Sequence, residues 1–347
     1  MRLHFFIPAF FDVYERYVKS GQACKTVVQS YNKGKKRADL PLTLEAALCR
    51  RFAYYQESGV DLPVAALTAH FDMPEAVSDA SWICRADPVH MRADRDQLVL
   101  FAGQQMLIDA DECAQLEDAF NTFFADTGLT LHAVAVNRWY LTGDRAWFFN
   151  AFPLSAVEGQ GITDKLPYGE DAAELRRLSN EIQMFFFNHP VNQNRHESTV
   201  RLPINGLWLW GAGTLASASV AANYEPGEWT AVYSDDVLAR GLARITGVAD
   251  SDFPQSFEAF MDIALPSSET CLLTLHEFFD LRQYEQWSPL MDKLAVFEMR
   301  WLHEMIAAVK KGDIESCEIF DEQGHCWRIS GEDLAPFSAW RKKWLGR

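Results

Sequence analysis

Short apolar runs alternate with stretches of helical spacing along this chain. RLHFFI, residues 2–7, is a continuous apolar run closed by Pro8 and predicts a buried first strand. In TLEAALCRRFAYY, Leu44, Ala47, Leu48, Phe52 and Tyr55 recur at helical spacing behind Thr43, a good N-cap residue. SWICRADPVHMRADRDQLVLF predicts two strands around a polar turn. DADECAQLEDAFNTFFADTG predicts an amphipathic helix with Leu116, Phe120 and Phe123 on one face. LTLHAVAVNRWYL alternates as a strand or hairpin arm, and a helix runs from Asp171 to Phe187. LWLW at 207–210 stops at Gly211-Ala-Gly213, DDVLARGLARITG predicts a helix closing on Gly247, and CLLTL at 271–275 another buried strand. Ser288 to Lys310 carries Leu290, Leu294, Phe297, Trp301 and Ile306 on a long helical pattern, and CEIFDEQGHCWRIS predicts a hairpin around Gln323-Gly324. Strands alternating with helices imply an α/β sheet covered on both faces, with no internal repeat.

Composition narrows the function classes. The 347 residues are 48% hydrophobic and 13% aromatic, enough for one large domain or two. A formal charge of -16 argues against nucleic acid or an anionic membrane surface as partner. The run Lys33-Gly34-Lys35-Lys36-Arg37 reads either as a solvated loop or as a small-anion patch. Seven scattered cysteines without a C-x-x-C pair suit reduced thiols. The apolar start is short, is broken by Pro8 and lacks a cleavage site, and no window reaches membrane-spanning length; the cytoplasm is the expected compartment.

The candidate chemistry concentrates in NEIQMFFFNHPVNQNR, residues 180–195. Pro190 disfavours helix at His189, which accounts for a stop there but leaves Asn192, Asn194 and Arg195 to find hydrogen-bond partners or a ligand. Between Cys84 and Asp96 three arginines and three aspartates alternate; guanidinium forks suit carboxylates or phosphates, yet the aspartates can also consume them internally. His276-Glu277 with Asp280, His303-Glu304, and Asp321 with His325 contain metal-ligand types without ligand spacing. There is no G-x-S-x-G elbow, dinucleotide fingerprint or P-loop, and no cofactor is expected.

Taken in order, Arg85-Ala86, Asn137-Arg138, Asn180-Glu181, His189-Pro-Val-Asn192 with Arg195, Pro203-Ile-Asn205 and Gly211-Ala-Gly213 resemble the archaeal-type cofactor-independent phosphoglycerate mutases of the alkaline phosphatase superfamily. The chain also resembles a bacterial group of mutase homologues labelled regulatory proteins of the Rpf pathogenicity-factor type, through Asp87-Pro-Val-His90, Arg92 to Asp96 and His189 to Gly211. The resemblance implies an alkaline-phosphatase-like three-layer α/β core, residues 1–78 and 205–347, interrupted by an inserted α+β domain at 79–204 that grips substrate.

The resemblance also implies what such chemistry needs: two metal ions and a serine nucleophile. Where a mutase ends its first strand in Asp-Gly, this chain has Pro8-Ala9; Ser58 and Ser78 stand in no matching context, and Leu275-His276-Glu-Phe-Phe-Asp280 replaces Asp-x-x-x-His. Trp210 replaces an arginine before Gly-x-Gly. The expectation is a metal-free, non-catalytic mutase relative with a regulatory role. It would retain an anionic-metabolite site from Arg85, Arg138, Asn180, His189, Asn192, Arg195 and Asn205, and a protein contact through SAWRKKWLGR, Ser338 to Arg347. The alternative is an active metal-dependent phosphomutase or phosphatase with ligands moved to His276, Asp280, His303 and Asp321. Of the tryptophans 208, 210, 301, 327, 340 and 344, most are expected in core.

Overall fold

The chain opens with the strand its apolar run predicts, β1 (Arg2–Phe6), followed by α1 (Phe10–Lys19), α2 (Lys25–Tyr31), the short strand β2 (Lys35–Ala38) and α3 (Leu44–Arg51), which Thr43 caps through its side chain. The computed structural model describes residues 1–54, 61–75, 82–197, 200–214, 229–264 and 269–335. They fall into two compact units, Met1–Phe52 with Tyr224–Arg347, and Ala53–Asn223. Ser58, Ser78 and the tail from Ser338, with Trp340 and Trp344, lie outside the described residues.

The second unit is continuous in sequence. It contains α4 (Val64–Asp72), β3 (Trp82–Asp94), β4 (Gln97–Phe101), α5 (Ala110–Phe123), β5 (Leu129–Ala135), β6 (Arg138–Gly143), α6 (Ala172–Asn188), α7 (Pro190–His196) and β7 (Gly206–Gly213). The sheet runs β4-β3-β6-β5, and β7 pairs antiparallel with β3. Pro88 is tolerated within β3 because that stretch pairs only with β7: β6 covers Trp82 to Arg85 and β4 begins at His90. Gly211 has φ +60°, and a Cβ there would lie 3.0 Å from that of Val64, so only glycine lets α4 approach β7 this closely.

The two units divide the chain at other points than the expected domain limits: the helix Val64–Asp72 and the strand Gly206–Gly213 both fall in the second unit. Buried on both faces, LWLW reads as a core strand in either sheet, and sequence alone does not name its partner.

The first unit resumes with β8 (Ala231–Ser234), α8 (Val237–Ile245), β9 (Ala249–Ser251), α9 (Phe257–Ile263), β10 (Thr270–Thr274), α10 (Glu277–Gln283) and α11 (Trp287–Phe297). A π-helical turn, Glu298–Leu302, joins α11 to α12 (His303–Lys311), and β11 (Ser316–Phe320), β12 (His325–Ser330) and α13 (Gly331–Leu334) follow. The seven strands are ordered β2-β12-β11-β1-β10-β8-β9. β1 is parallel to both β10 and β11, and β8 and β9 continue the parallel set; β12 and β2 are antiparallel.

Side chains of β1 alternate across this sheet. Leu3 and Phe5 join the core built by α1, α11 and α12, where Phe5 meets Trp301 edge-on at 5.5 Å between ring centroids. His4 and Phe6 face the other way, toward Trp229 and Phe320. Buried Glu298, at the π-turn, accepts Cys24 N–H at 2.9 Å and the hydroxyls of Tyr14 and Tyr17. The basic run at 33–37 is not wholly a loop, because Lys35 to Arg37 belong to β2, the exposed edge strand.

Candidate functional site

In a parallel α/β sheet, ligands bind beyond the carboxyl ends of the strands. In the first unit Phe6, Thr274, Ser234 and Phe320 stand level at that edge. The residues that follow them are Ile7-Pro8-Ala9, Leu275-His276, Asp235-Asp236 and Asp321-Glu322.

These groups are largely engaged with one another. Asp236 caps α8 by accepting Ala239 N–H at 2.9 Å, and its other oxygen lies 3.3 Å from His276 Nδ1. His276 Nε2 is buried without a hydrogen-bond partner among the described residues. Asp321 accepts the His325 backbone N–H at 2.9 Å and contacts its ring at 3.1 Å. Burial and neighbouring Glu322 push the Asp321 carboxyl up to about 6, with His325 opposing. Glu322 accepts Ala9 N–H at 2.9 Å, and Ala9 holds a left-handed φ of 60°.

The four relocated ligands of the alternative reading do not form one set. His276 is with Asp236 and has Asp280 near it, Asp321 is with His325, and exposed His303 contacts Glu304. Among the described residues no group of three or more histidine, cysteine or acidic side chains is arranged to hold a metal ion.

In the second unit the seven candidate residues separate into three places. Arg85 and Arg138 share one network. Arg85 donates to Asp87 Oδ1 through Nε at 3.2 Å and Nη2 at 2.5 Å, while Arg138 grips both oxygens of Asp72 at 2.6 and 2.9 Å. Tyr140 links the pairs, its hydroxyl donating to Asp72 at 2.6 Å and its ring lying 5.3 Å from the Arg85 guanidinium. Burial would lower the Arg85 pKa, but Asp87 beside it more than reverses this, and the net direction is up. Asp87 also accepts Trp210 Nε1–H at 2.8 Å and the Trp139 N–H at 3.3 Å.

Asn192, Arg195 and Asn205 hold the segment that returns from α7 to β7. Asn192 is 1% exposed; its Oδ1 accepts Ile204 N–H at 2.7 Å and its Nδ2 donates to the carbonyls of Ile204 and Phe186. Asn205 does the same to Met91, accepting at 2.7 Å and donating at 2.8 Å. Arg195, also 1% exposed, spends all five N–H groups: two on Glu112, and three on the carbonyls of Met106, Leu107 and Leu202. These three side chains, expected to face a ligand, are therefore consumed by the scaffold, because a buried fork or amide must be satisfied internally.

His189 and Asn180 are elsewhere. Asn180 is exposed on α6. His189 is the extended residue between α6 and α7 and caps the latter, its Nδ1 accepting Val191 N–H at 3.3 Å. Pro190, read as a stop, is also a start: it occupies the first turn of α7, where its missing N–H costs nothing. His189 lines a cavity of about 440 Å³ with Phe123, Glu181, Met184, Phe185, Asn188 and Pro190. Only Phe186 of the three phenylalanines is core; Phe187 is exposed and Phe185 half-buried. The sequence signal was present in α6, where Glu181, Met184, Phe185 and Asn188 share one face and buried Leu178, Ile182 and Phe186 another.

The α/β fold is common to a solved structure, the PH0037 protein from Pyrococcus horikoshii, with a TM-score of 0.54 and 12% identity over 95% of this chain and 87% of that one. The chain is a distant homologue of the 2,3-bisphosphoglycerate-independent phosphoglycerate mutases. A probable mutase of this kind from Geobacter sulfurreducens is 35% identical over 96 residues, and one from Methanothrix thermoacetophila 35% identical over 65. The aligned stretches span 28% and 19% of this chain but only 24% and 16% of those relatives. No protein-family model matches. Among the described residues no helix is long and apolar enough to cross a membrane.

Proposed function

We propose that this chain is a mutase relative that binds a small phosphorylated or carboxylated metabolite in a regulatory role and does not carry out metal-dependent phosphoryl transfer. The observation that supports this most is the closing of charge upon charge. Two-metal chemistry needs a cluster of carboxylates and imidazoles free to ligate, at positions that stabilise the transferring group. Here the ligand-type residues at the sheet edge fall into two clusters, His276 paired with Asp236 beside Asp235 and Asp280, and Asp321 paired with His325 beside Glu322, and among the described residues neither is arranged to hold a metal ion. The end of β1 contributes Ile7-Pro8-Ala9, none of which can ligate through a side chain.

Of the three arginines, Arg138 is best placed to meet an anion. Its side chain is 29% exposed, against 9% for Arg85 and 1% for Arg195, and the pair with Asp72 uses its Nε and Nη2. An anion there would add to an existing ion pair instead of displacing one.

The test combines turnover and binding. With manganese, zinc or cobalt added, 3-phosphoglycerate and generic phosphate esters should give no turnover. 3-Phosphoglycerate should raise the melting temperature saturably, and Arg138→Met combined with Asp72→Leu, which removes both charges, should abolish that rise while leaving the protein folded. Metal-dependent turnover that disappears in His276→Ala would overturn the reading, and an unchanged thermal rise in the double variant would remove Arg138 from it.

A further inference from the structure

We infer that the cavity between α5, α6 and α7 is a binding site for a small organic ammonium ion carried on an apolar body. The inference concerns the second unit alone and does not depend on the reading of the anion site. The cavity, about 440 Å³, is of the size that small ligands fill. Its walls are Phe123, Met184, Phe185 and Pro190, and two of these are open to solvent: Phe123 is 65% exposed and Met184 69%.

The rings are ordered into a wall. Phe123 and Phe185 lie 5.0 Å apart between centroids, with the His189 ring 6.0 Å beyond Phe185. Aromatic faces attract cations through their quadrupole. Glu181 stands one turn before Phe185 on the same face of α6, and its carboxylate has no ion-pair or hydrogen-bond partner among the described residues.

Among the described residues no lysine or arginine lines the cavity to offset that charge. His189 does not cancel it either. Its Nδ1 accepts Val191 N–H, which fixes a neutral tautomer with the proton on Nε2, and burial lowers its pKa. The Asn188 amide is turned to the Met184 carbonyl at 2.9 Å, leaving its oxygen as a further acceptor. An apolar floor, aromatic faces, one free carboxylate and a chain of net charge -16 together select a cation over a neutral or anionic molecule of the same shape.

Three probes of matched body separate charge from apolar contact: 2-phenylethylamine, 2-phenylethanol and phenylacetate, each titrated into the full chain and followed by ligand-observed NMR. The amine should bind about tenfold more tightly than the alcohol, the sum expected from a partly exposed ion pair and a cation–π contact. Phenylacetate should bind weakest. Glu181→Gln, at an exposed position, should erase the preference for the amine and leave the alcohol unchanged; Met184→Ala with Phe123→Ala should weaken all three. Equal affinity for the three probes, a preference that survives Glu181→Gln, or no binding of any probe would overturn the inference. So would sedimentation showing a dimer that Phe123→Glu dissociates, because the occupant would then be a second copy of the chain.

Discussion

Arg195 and Glu112 are joined by a buried fork-to-fork ion pair, Nε to Oε1 at 3.0 Å and Nη2 to Oε2 at 2.5 Å, although 83 residues separate them. Glu112 also completes the capping box that starts α5 with Asp109, and Arg201 contacts both acids at 2.9 Å. One carboxylate thus fixes the start of a helix, the end of α7 and the chain leading to β7.

Removing one partner of such a pair strands the other. Arg195→Ala is expected to cost about 3–5 kcal/mol, partly softened by Arg201, whereas Arg195→Met combined with Glu112→Leu should recover much of that loss. Urea denaturation followed by near-ultraviolet circular dichroism compares the two; equal destabilisation would show that the charge pair is not the source.

Asn192 and Asn205 each occupy both the N–H and the C=O of one backbone residue, as a neighbouring strand would. Asn205→Ala should cost about 2 kcal/mol through the two unsatisfied groups of Met91. Asn205→Asp should cost more at neutral pH, since it sets a carboxylate against the Met91 carbonyl, and the difference should shrink as the pH approaches 4. Thermal melts at the two pH values measure both effects.

Ala9 sits at φ 60°, a conformation that costs an alanine about 1 kcal/mol or more. Ala9→Gly should therefore stabilise the first unit by about 0.5–1 kcal/mol, after allowing for the greater freedom of glycine in the unfolded chain. Ala9→Val should destabilise it by more than that. Calorimetry of the three proteins gives the order directly.

Asp321 offers a test by pH. Its folded-state pKa of about 6 lies above the ordinary carboxylate value of 3.8, so the folded protein holds this proton more tightly than the unfolded chain. Its contribution to stability is full below about pH 4 and is lost as the pH rises through about 6, a change of about 2–3 kcal/mol. Asp321→Asn should flatten that step and be the more stable form at pH 7. A stability profile that falls identically in both proteins between pH 4 and 6 would assign the step to another group.

Local structure was well marked in the sequence, and partnership was not. The cap at Thr43, the turn at Gly324 and the strands RLHFFI and CLLTL follow from short-range chemistry that the chain carries on its face. The alternation of arginine and aspartate from 84 to 96 allowed internal pairing, which among the described residues only Arg85 with Asp87 makes; Arg138 found Asp72, and Arg195 found Glu112, at distances in sequence that no spacing rule reaches. That is why Asn192, Arg195 and Asn205 read as ligand-facing: their residue types are those of a binding site, and only the three-dimensional neighbours disclose that the acceptors are backbone carbonyls and a buried acid. The cavity was passed over because three adjacent phenylalanines look like core, while helical geometry turns them in three directions.

The central place of β1 sets an order of events in synthesis. Its two neighbours, β10 and β11, are encoded at Thr270–Thr274 and Ser316–Phe320, so β1 is synthesised long before the strands that satisfy its edges. The unit from Ala53 to Asn223 needs no residue outside itself to complete its sheet. The unit from Ala53 to Asn223 can therefore mature before the one that surrounds it in sequence, and RLHFFI, with its edges unpaired, is the segment that most needs shelter until β10 and β11 have been made.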